Sequence, residues 1–298
     1  MKTIIIAGGS GFLGQVLKNH FNSKNYRVII LTRYPKNEND VYWNAKDLGD
    51  WAKSLEDSEA LINLTGKSVD CRYTEANKKE IYDSRINSTE LLGLAINLCE
   101  TPPKVWFNSS TATIYKHSLT KQMTEKDGEI GDDFSMNIAK SWEQAFYSIK
   151  NPKVRKIALR TSIVMGKNGG ALVPLKQLVK FGLGGKQASG NQKVSWIHEL
   201  DFARAIEFLL NNESLDGNFN LSVKNPTNNK TLMQSLRTVL RIPFGINHPI
   251  WLLKFGAKLI GTETELVLKS RNVIPERLLE NGFEFKYQDI ESALKNLL

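Results

Sequence analysis

The sequence predicts an α/β fold built on a doubly wound parallel sheet, with a smaller, mostly helical C-terminal lobe. Three observations carry this expectation. Short, β-branched apolar runs alternate with helical stretches through the first half of the chain. The first run ends in glycines and leads directly into an amphipathic helix. After Pro226 the periodicity becomes mostly helical.

Each element can be justified in turn. Residues 3–7 form a short, β-branched apolar run, as suits a strand covered on both faces. Residues 12–21 set Leu13, Val16, Leu17 and Phe21 on one helical face. Residues 27–31, 60–64 and 104–108 are further strands. Residues 74–98 form a long helix whose apolar face carries Ile81, Ile86, Leu91, Leu92, Ala95 and Ile96. A helix over 134–149 and a strand over 156–161 follow. Residues 166–193 are rich in glycine and lysine, with one helical patch at 173–181. Then come a short strand at 194–197, a helix at 201–210 and a strand at 218–223. The predicted layout is a nucleotide-binding domain of residues 1–165 and 194–224. A substrate lobe takes residues 166–193 and 225–298.

Composition bounds the function. The chain has 298 residues, 41% of them hydrophobic, enough for one large or two modest domains. No apolar run reaches the ~18 residues of a membrane span, so no membrane partner is expected. Glycines break the apolar opening where a secretion signal would continue, so a cytoplasmic protein is expected. Cys71 and Cys99 lie far apart and form no metal motif, so no metal is expected. The net charge is +9. No short window combines dense Lys and Arg with aromatics, so nucleic-acid binding is not expected. The charge reads either as a plain basic surface or as a basic cleft for phosphorylated ligands.

Gly8-Gly9-Ser10-Gly11-Phe12-Leu13-Gly14 follows the first strand and opens the first helix. Glycines there let the backbone turn tightly and approach a pyrophosphate, while the helix N-terminus offers free N–H groups. In this strand–turn–helix setting the motif predicts a Rossmann-type dinucleotide site. The second strand ends Leu31-Thr32-Arg33, with Lys36 close behind and no carboxylate to hold a ribose 2′-hydroxyl. Thr32 and Arg33 therefore predict NADP(H), since a guanidinium can pair with a 2′-phosphate.

Further landmarks line up in order: Asn63-Leu64-Thr65-Gly66, Ser109 to Tyr115, Arg160 to Gly166 and Trp196 to Asp201. Finer marks are Asp83 to Asn87, Ser141-Trp142-Glu143, Gly182 to Gly185, Gly217 to Asn220 and Ile274 to Leu278. With them the chain resembles the extended short-chain dehydrogenase/reductases over nearly its whole length. It is most similar to the atypical branch labelled sugar-nucleotide-epimerase-like or "cell division inhibitor". The resemblance implies that Gly8, Gly11 and Gly14 cradle the pyrophosphate. It implies that Leu64, Thr65 and Gly66 line the adenine and ribose side. Arg85, Ser109 and Ser110 join the cofactor contacts, and Arg85 replaces the asparagine usual in extended members. Thr111 falls where that superfamily has its catalytic Ser or Thr. The implied partner is a small molecule, a nucleotide sugar among the candidates, in a monomer or homodimer.

The same resemblance exposes a loss. The superfamily's proton chemistry uses Tyr-x-x-x-Lys, two residues on one helical face. Anchored on Glu143, those positions are Ser135 and Ala139. Tyr115, four residues after Thr111, is the expected substitute donor, with a pocket wall as its plainer role. His198 and Trp142 read as structural. Two functions stay open: an NADP(H)-dependent oxidoreductase or epimerase with a rearranged acid, and a non-catalytic NADP(H)-binding sensor.

Overall fold

The computed structural model describes residues 1–261, 263–264 and 268–298. Its main sheet holds seven strands. They are β1 (Thr3–Ala7), β2 (Arg27–Thr32), β3 (Asp40–Tyr42), β4 (Ala60–Asn63), β5 (Val105–Thr111), β6 (Arg155–Thr161) and β11 (Gly217–Leu221), where β7 to β10 belong to small sheets given below. The order is β3-β2-β1-β4-β5-β6-β11, with every pairing parallel. The winding direction reverses between β1 and β4. A doubly wound sheet opens its ligand crevice at that point, outside the strands' C-terminal ends.

Period-two alternation sends the strand side chains to two layers. Ile4 and Ile6 join Leu17 and Phe21 of α1 (Phe12–Ser23) and Phe202 and Ile206 of α5 (Glu199–Asn211). Ile5 and Ala7 face Leu92 and Ile96 of α2 (Glu75–Leu98) and Phe146 of α3 (Phe134–Ser148). Thr74 and Asp133 cap α2 and α3, their side chains accepting from the Asn77 and Met136 N–H groups.

A second core gathers residues of the predicted lobe together with Met165, Trp196 and Val223 of the predicted nucleotide-binding domain. Leu172 and Val179 of α4 (Leu172–Lys180) pack with Leu232, Met233 and Leu236 of α6 (Asn229–Leu240), beside Ile290, Leu294 and Leu297 of the last helix (Ile290–Leu297). A further helix, α7, spans Ile250–Ile260. The C-terminal third does not stay wholly with this lobe: Leu278, Phe283 and Phe285 pack into the layer under α1 and α5.

The structure departs from the sequence reading in three places. Strand β3 has only three residues, too few to show a period. The strand expected at 194–197 is split. Its first half, β9 (Lys193–Val194), pairs antiparallel with β12 (Thr227–Asn228). Its second half, β10 (Trp196–His198), pairs parallel with β7 (Ile163–Gly166), which also meets β8 (Gly169–Gly170). Ser195 lies between the halves, its hydroxyl donating to the Arg271 and Val273 carbonyls, 2.8 and 3.2 Å away. Strand β5 also runs three residues further than expected, so Ser109 to Thr111 lie on the sheet.

Candidate functional site

The glycine turn joins β1 to α1 at the switch point, and its glycines do different jobs. Gly8 sits at φ +72°, and a Cβ there would come within 3.0 Å of Thr65. A Cβ on Gly14 would lie 2.1 Å from the Gly9 carbonyl oxygen, so close packing of helix on turn needs glycine. Gly9 is packed against Ile6 and Ile30. Gly11 is the exception, since a Cβ there would meet nothing within 4 Å. Gly11 is also the N-cap of α1 and supplies no side-chain cap, which leaves the helix's first N–H groups for a ligand. Ser10 is exposed at the rim. The Phe12 ring is held by Gly166 and Gly169, whose Cβ positions lie 2.1 and 2.4 Å from it, and Leu13 packs on the core. Those two side chains therefore position the turn.

At the end of β2, Thr32 is buried and its hydroxyl oxygen accepts the Tyr34 N–H at 3.3 Å. Arg33 is exposed, its guanidinium 5.9 Å from the Tyr34 ring centroid. The nearby acid, Asp40, is turned away and accepts the Lys36 and Asn37 N–H groups at 2.9 and 3.0 Å.

At the end of β4, the Asn63 side chain shapes the next loop. Its Oδ1 accepts the Thr65 N–H at 3.0 Å, while its Nδ2 donates to Asn108 at 2.7 Å and Thr89 at 3.2 Å. Trp142 donates to the same Thr89 hydroxyl at 3.0 Å. Leu64 packs on the core, and the Thr65 hydroxyl is buried without a partner. Next to it, a Cβ on Gly66 would stand 3.0 Å from the Arg85 guanidinium carbon. Arg85 donates to the Lys67 and Ile81 carbonyls at 3.0 and 2.9 Å and lies over the Trp142 ring. Burial pulls its pKa down to about 10.

The end of β5 separates residues that the sequence grouped together. Ser109 and Thr111 share one face of the strand. Ser110 points to the other, buried, and donates to Glu143 at 2.6 Å. The Thr111 hydroxyl donates to the Thr113 hydroxyl at 3.0 Å and accepts the Thr113 N–H at 3.1 Å. Tyr115 does not reach the mouth of the strand. A 3₁₀ turn (Ala112–Ile114) carries it inward to zero exposure, and Gly128 leaves room for its ring. Its hydroxyl donates to Asn220 at 3.0 Å and accepts from Arg160 at 2.8 Å. Arg160 in turn forks onto Glu143, with both bonds 2.8 Å. Burial raises the Tyr115 pKa.

Ala139 is fully buried. The Ser135 hydroxyl lies 3.5 Å from the Tyr73 phenol oxygen. His198 caps α5: its Nδ1 accepts the Leu200 N–H at 3.0 Å, and its ring stacks on Tyr287. The sequence reading passed over the Asn63–Asn108–Thr89 network and Tyr73. The Asn63-Leu64-Thr65-Gly66 run is the sequence signal for the first. No group of three or more potential metal ligands occurs among the described residues.

Comparison with known proteins agrees with this geometry. Residues 4–222 match the NAD dependent epimerase/dehydratase family, and residues 248–297 match a domain of unknown function, DUF1731. Epimerase family protein SA0724 of Staphylococcus aureus (strain N315) is 32% identical, covering 100% of this chain and 99% of that one. The crystal structure of human epimerase family protein SDR39U1 with NADPH superposes with a TM-score of 0.90. It is 28% identical, and the match covers 99% of this chain and 98% of that one. UDP-N-acetylglucosamine 4-epimerase from Bacillus cereus shares the fold, with a TM-score of 0.78, 18% identity, and coverage of 100% and 95%. The chain therefore belongs to the NAD dependent epimerase/dehydratase family.

Proposed function

Given that membership, we propose that the chain is an NADP(H)-dependent oxidoreductase or epimerase acting on a small molecule, a nucleotide sugar being the leading class. The cytoplasm is its expected setting. The glycine cradle carries this reading: open space at Gly11, an uncapped α1 N-terminus and an unpartnered Thr65 hydroxyl meet at the switch point. These features fit a dinucleotide. Gly8 to Gly14 would hold its pyrophosphate, and Leu64, Thr65 and Gly66 would line the adenosine side. Thr32 and Arg33 would meet a 2′-phosphate, with no carboxylate turned toward it. The NADPH in the human relative's structure supports this choice.

When bound, the nicotinamide would supply or accept hydride. Thr111, at the end of β5, would bind the reacting oxygen. Tyr115 is a pillar of the buried Glu143–Arg160 network in this reading, because both its hydrogen bonds are internal. Calorimetry with NADPH and NADH tests the proposal. NADPH should bind more tightly, equal affinities would remove the NADP preference, and no binding of either would end the reading.

One observation favours the non-catalytic sensor. Ser135 and Ala139 cannot form the usual acid pair, and the Thr111 proton is held by Thr113. Tight NADPH binding without turnover of any nucleotide sugar, in either redox state, would decide for it.

A further inference from the structure

We propose that Tyr73 and Arg85 together replace the missing acid pair, with Tyr73 as proton donor and Arg85 as the cation beside it. The inference rests on the oxidoreductase reading above and names its acid. The tyrosine position on α3 is Ser135, and the Tyr73 phenol reaches that serine from the loop before α2, 3.5 Å from its hydroxyl. The Tyr73 ring is set edge-on against Phe134, with centroids 4.8 Å apart. Arg85 comes from α2 and lies against Gly66, one of the loop residues assigned to the cofactor. It forms no ion pair among the described residues, lies 5.0 Å over the Trp142 ring of α3, and is favoured in its charged form by a negative charge on Tyr73. A phenol thus reaches the vacated tyrosine position, and a cation lies between the cofactor loop and the Trp142 ring of α3, the two delivered from different elements.

Other charged groups lie near Tyr73 among the described residues. The Glu263 carboxylate accepts the Tyr73 N–H at 3.1 Å and is itself paired with Arg72 at 3.5 Å. Lys78 lies over the Phe134 ring. In the step proposed, a substrate carbonyl takes hydride from the reduced nicotinamide at carbon. Its π pair moves to oxygen, and that oxygen takes the Tyr73 proton. The tyrosinate left behind regains a proton from water. A positive neighbour favours tyrosinate, so Arg85 makes Tyr73 the better acid.

The test needs no substrate. Phenol ionisation is followed by ultraviolet difference titration of the full chain and of Tyr73→Phe, with and without NADP⁺. The Tyr73 contribution should appear at or below about pH 9 instead of the ordinary ~10, well apart from buried Tyr115. Oxidised nicotinamide should lower it further, and Arg85→Gln should raise it, while Arg85→Lys should keep most of the effect. If NADP⁺ binds but the two titrations coincide below pH ~10, the Tyr73 assignment is overturned. If NADP⁺ does not bind, the cofactor reading itself has failed.

A separate observation points to a surface. Residues 166–193 and 225–261 hold ten lysines and arginines and no acid, while the rest of the chain holds thirty against thirty-one. The net charge therefore sits in these two segments of the lobe, and the acids of the lobe all follow them, in residues 263–291. The same lobe exposes Phe181 (77%), Trp251 (70%), Phe244 (63%) and Phe255. Phe181 and Phe244 are neighbours, since the Ile246 N–H donates to the Gly182 carbonyl at 2.9 Å. On α7, Trp251, Lys254, Phe255 and Lys258 share the three-and-four spacing of one face, and all are exposed.

We infer that this face docks on an anionic lipid surface. Aromatic rings enter the headgroup region while lysines reach the phosphates. A second copy is the poorer fit, because a two-fold contact would set one acid-free face against another. The docking is peripheral, as no helix among the described residues can cross a membrane.

Co-sedimentation of the full chain should show binding to phosphatidylcholine–phosphatidylglycerol vesicles, weakened by salt, and not to phosphatidylcholine alone. Lys254→Ser with Lys258→Ser should weaken it about twenty-five-fold, at about fivefold per lysine. Trp251→Ser with Phe255→Ser should weaken it with NADPH affinity intact. Absent anionic-vesicle binding, equal binding to a DNA duplex, or a dimer dissolved by Trp251→Ser would each overturn the proposal.

Discussion

The two ends of the main sheet make a useful contrast. At the C-terminal end, polar groups are left over: the first N–H groups of α1, the Thr65 hydroxyl and exposed Arg33. At the N-terminal end, the cations are spoken for. Arg155 donates to the Leu209, Leu210 and Leu215 carbonyls, closing the end of α5. Lys156 does the same for α3 through the Phe146 and Ile149 carbonyls. Lys104 is paired with Glu59 at 2.7 Å. Yet a cavity of about 1010 Å³ lies at this second end, bounded by Glu59, Lys104, Arg155 and Lys156. The contrast is that volume gathers at one end and unspent hydrogen bonds at the other. Helix dipoles give the physical reason, because one end of a parallel α/β sheet gathers helix N-termini and the other gathers C-termini.

The strongest test of the contrast uses two glycines of one turn. Gly11→Val adds a side chain into open space, so thermal stability should stay near wild type. NADPH affinity should fall at least about a hundredfold, as two hydrogen bonds to a charged group at about 1.5 kcal/mol each are blocked. Gly14→Val pushes into the Gly9 backbone and should lose stability and binding together. Equal behaviour of the two variants in melting and calorimetry would show that the cradle is only a turn.

Next comes the buried network that both ends share through β5 and β6. Glu143→Gln removes the charge partner of buried Arg160 and should cost about 3 kcal/mol in urea unfolding. Lys104→Ala, at the rim of the N-terminal cavity, should cost about 0.5 kcal/mol or less. A cost below 1 kcal/mol for Glu143→Gln would mean that the pair is solvated, and Tyr115 with it.

This network also shows what the sequence could and could not reveal. The strands, α1 and the glycine turn were legible because each rests on a local signal: β-branched runs, one apolar helical face, and glycine where Cβ cannot fit. Tyr115 was misplaced because its burial depends on Asn220 and Arg160, at separations of 105 and 45 residues. The meeting of Tyr73 with Ser135, 62 residues apart, leaves no periodic trace either. Two-residue strands such as β8, β9 and β12 are too short for a pattern, and pairing alone defines them.

A smaller effect is expected at Arg33. It is exposed, so its charge acts only on a ligand that comes to it. Arg33→Ala should reduce the preference for NADPH over NADH about tenfold, the value of one solvent-facing charge-assisted pair at about 1.4 kcal/mol. An unchanged ratio would move the 2′-phosphate contact to another group, with Lys36 the next basic residue along the chain.

The smallest effect belongs to the N-terminal end and reads out in pH. Lys156 is half-buried among Trp106, Phe146 and Tyr147, and burial brings its pKa down to about 8 from 10.5. Its folded pKa lies below its unfolded one, so the unfolded chain holds more protons between those values. Stability should therefore rise from about pH 8 to 10.5 as the folded lysine sheds its charge. Solvent reaches the side chain, which limits the gain to about 1 kcal/mol. Cys99 works the other way in part of this range. Burial raises its thiol to about 11 from 9.0, so its contribution falls as pH climbs. The quantity to measure is thus the difference in unfolding free energy between wild type and Lys156→Met. That difference should shift in favour of wild type across the window and be flat below it. A flat difference throughout would mean that the α3 carbonyls keep the ammonium charged, making Lys156 a full helix cap and the N-terminal end even more completely satisfied.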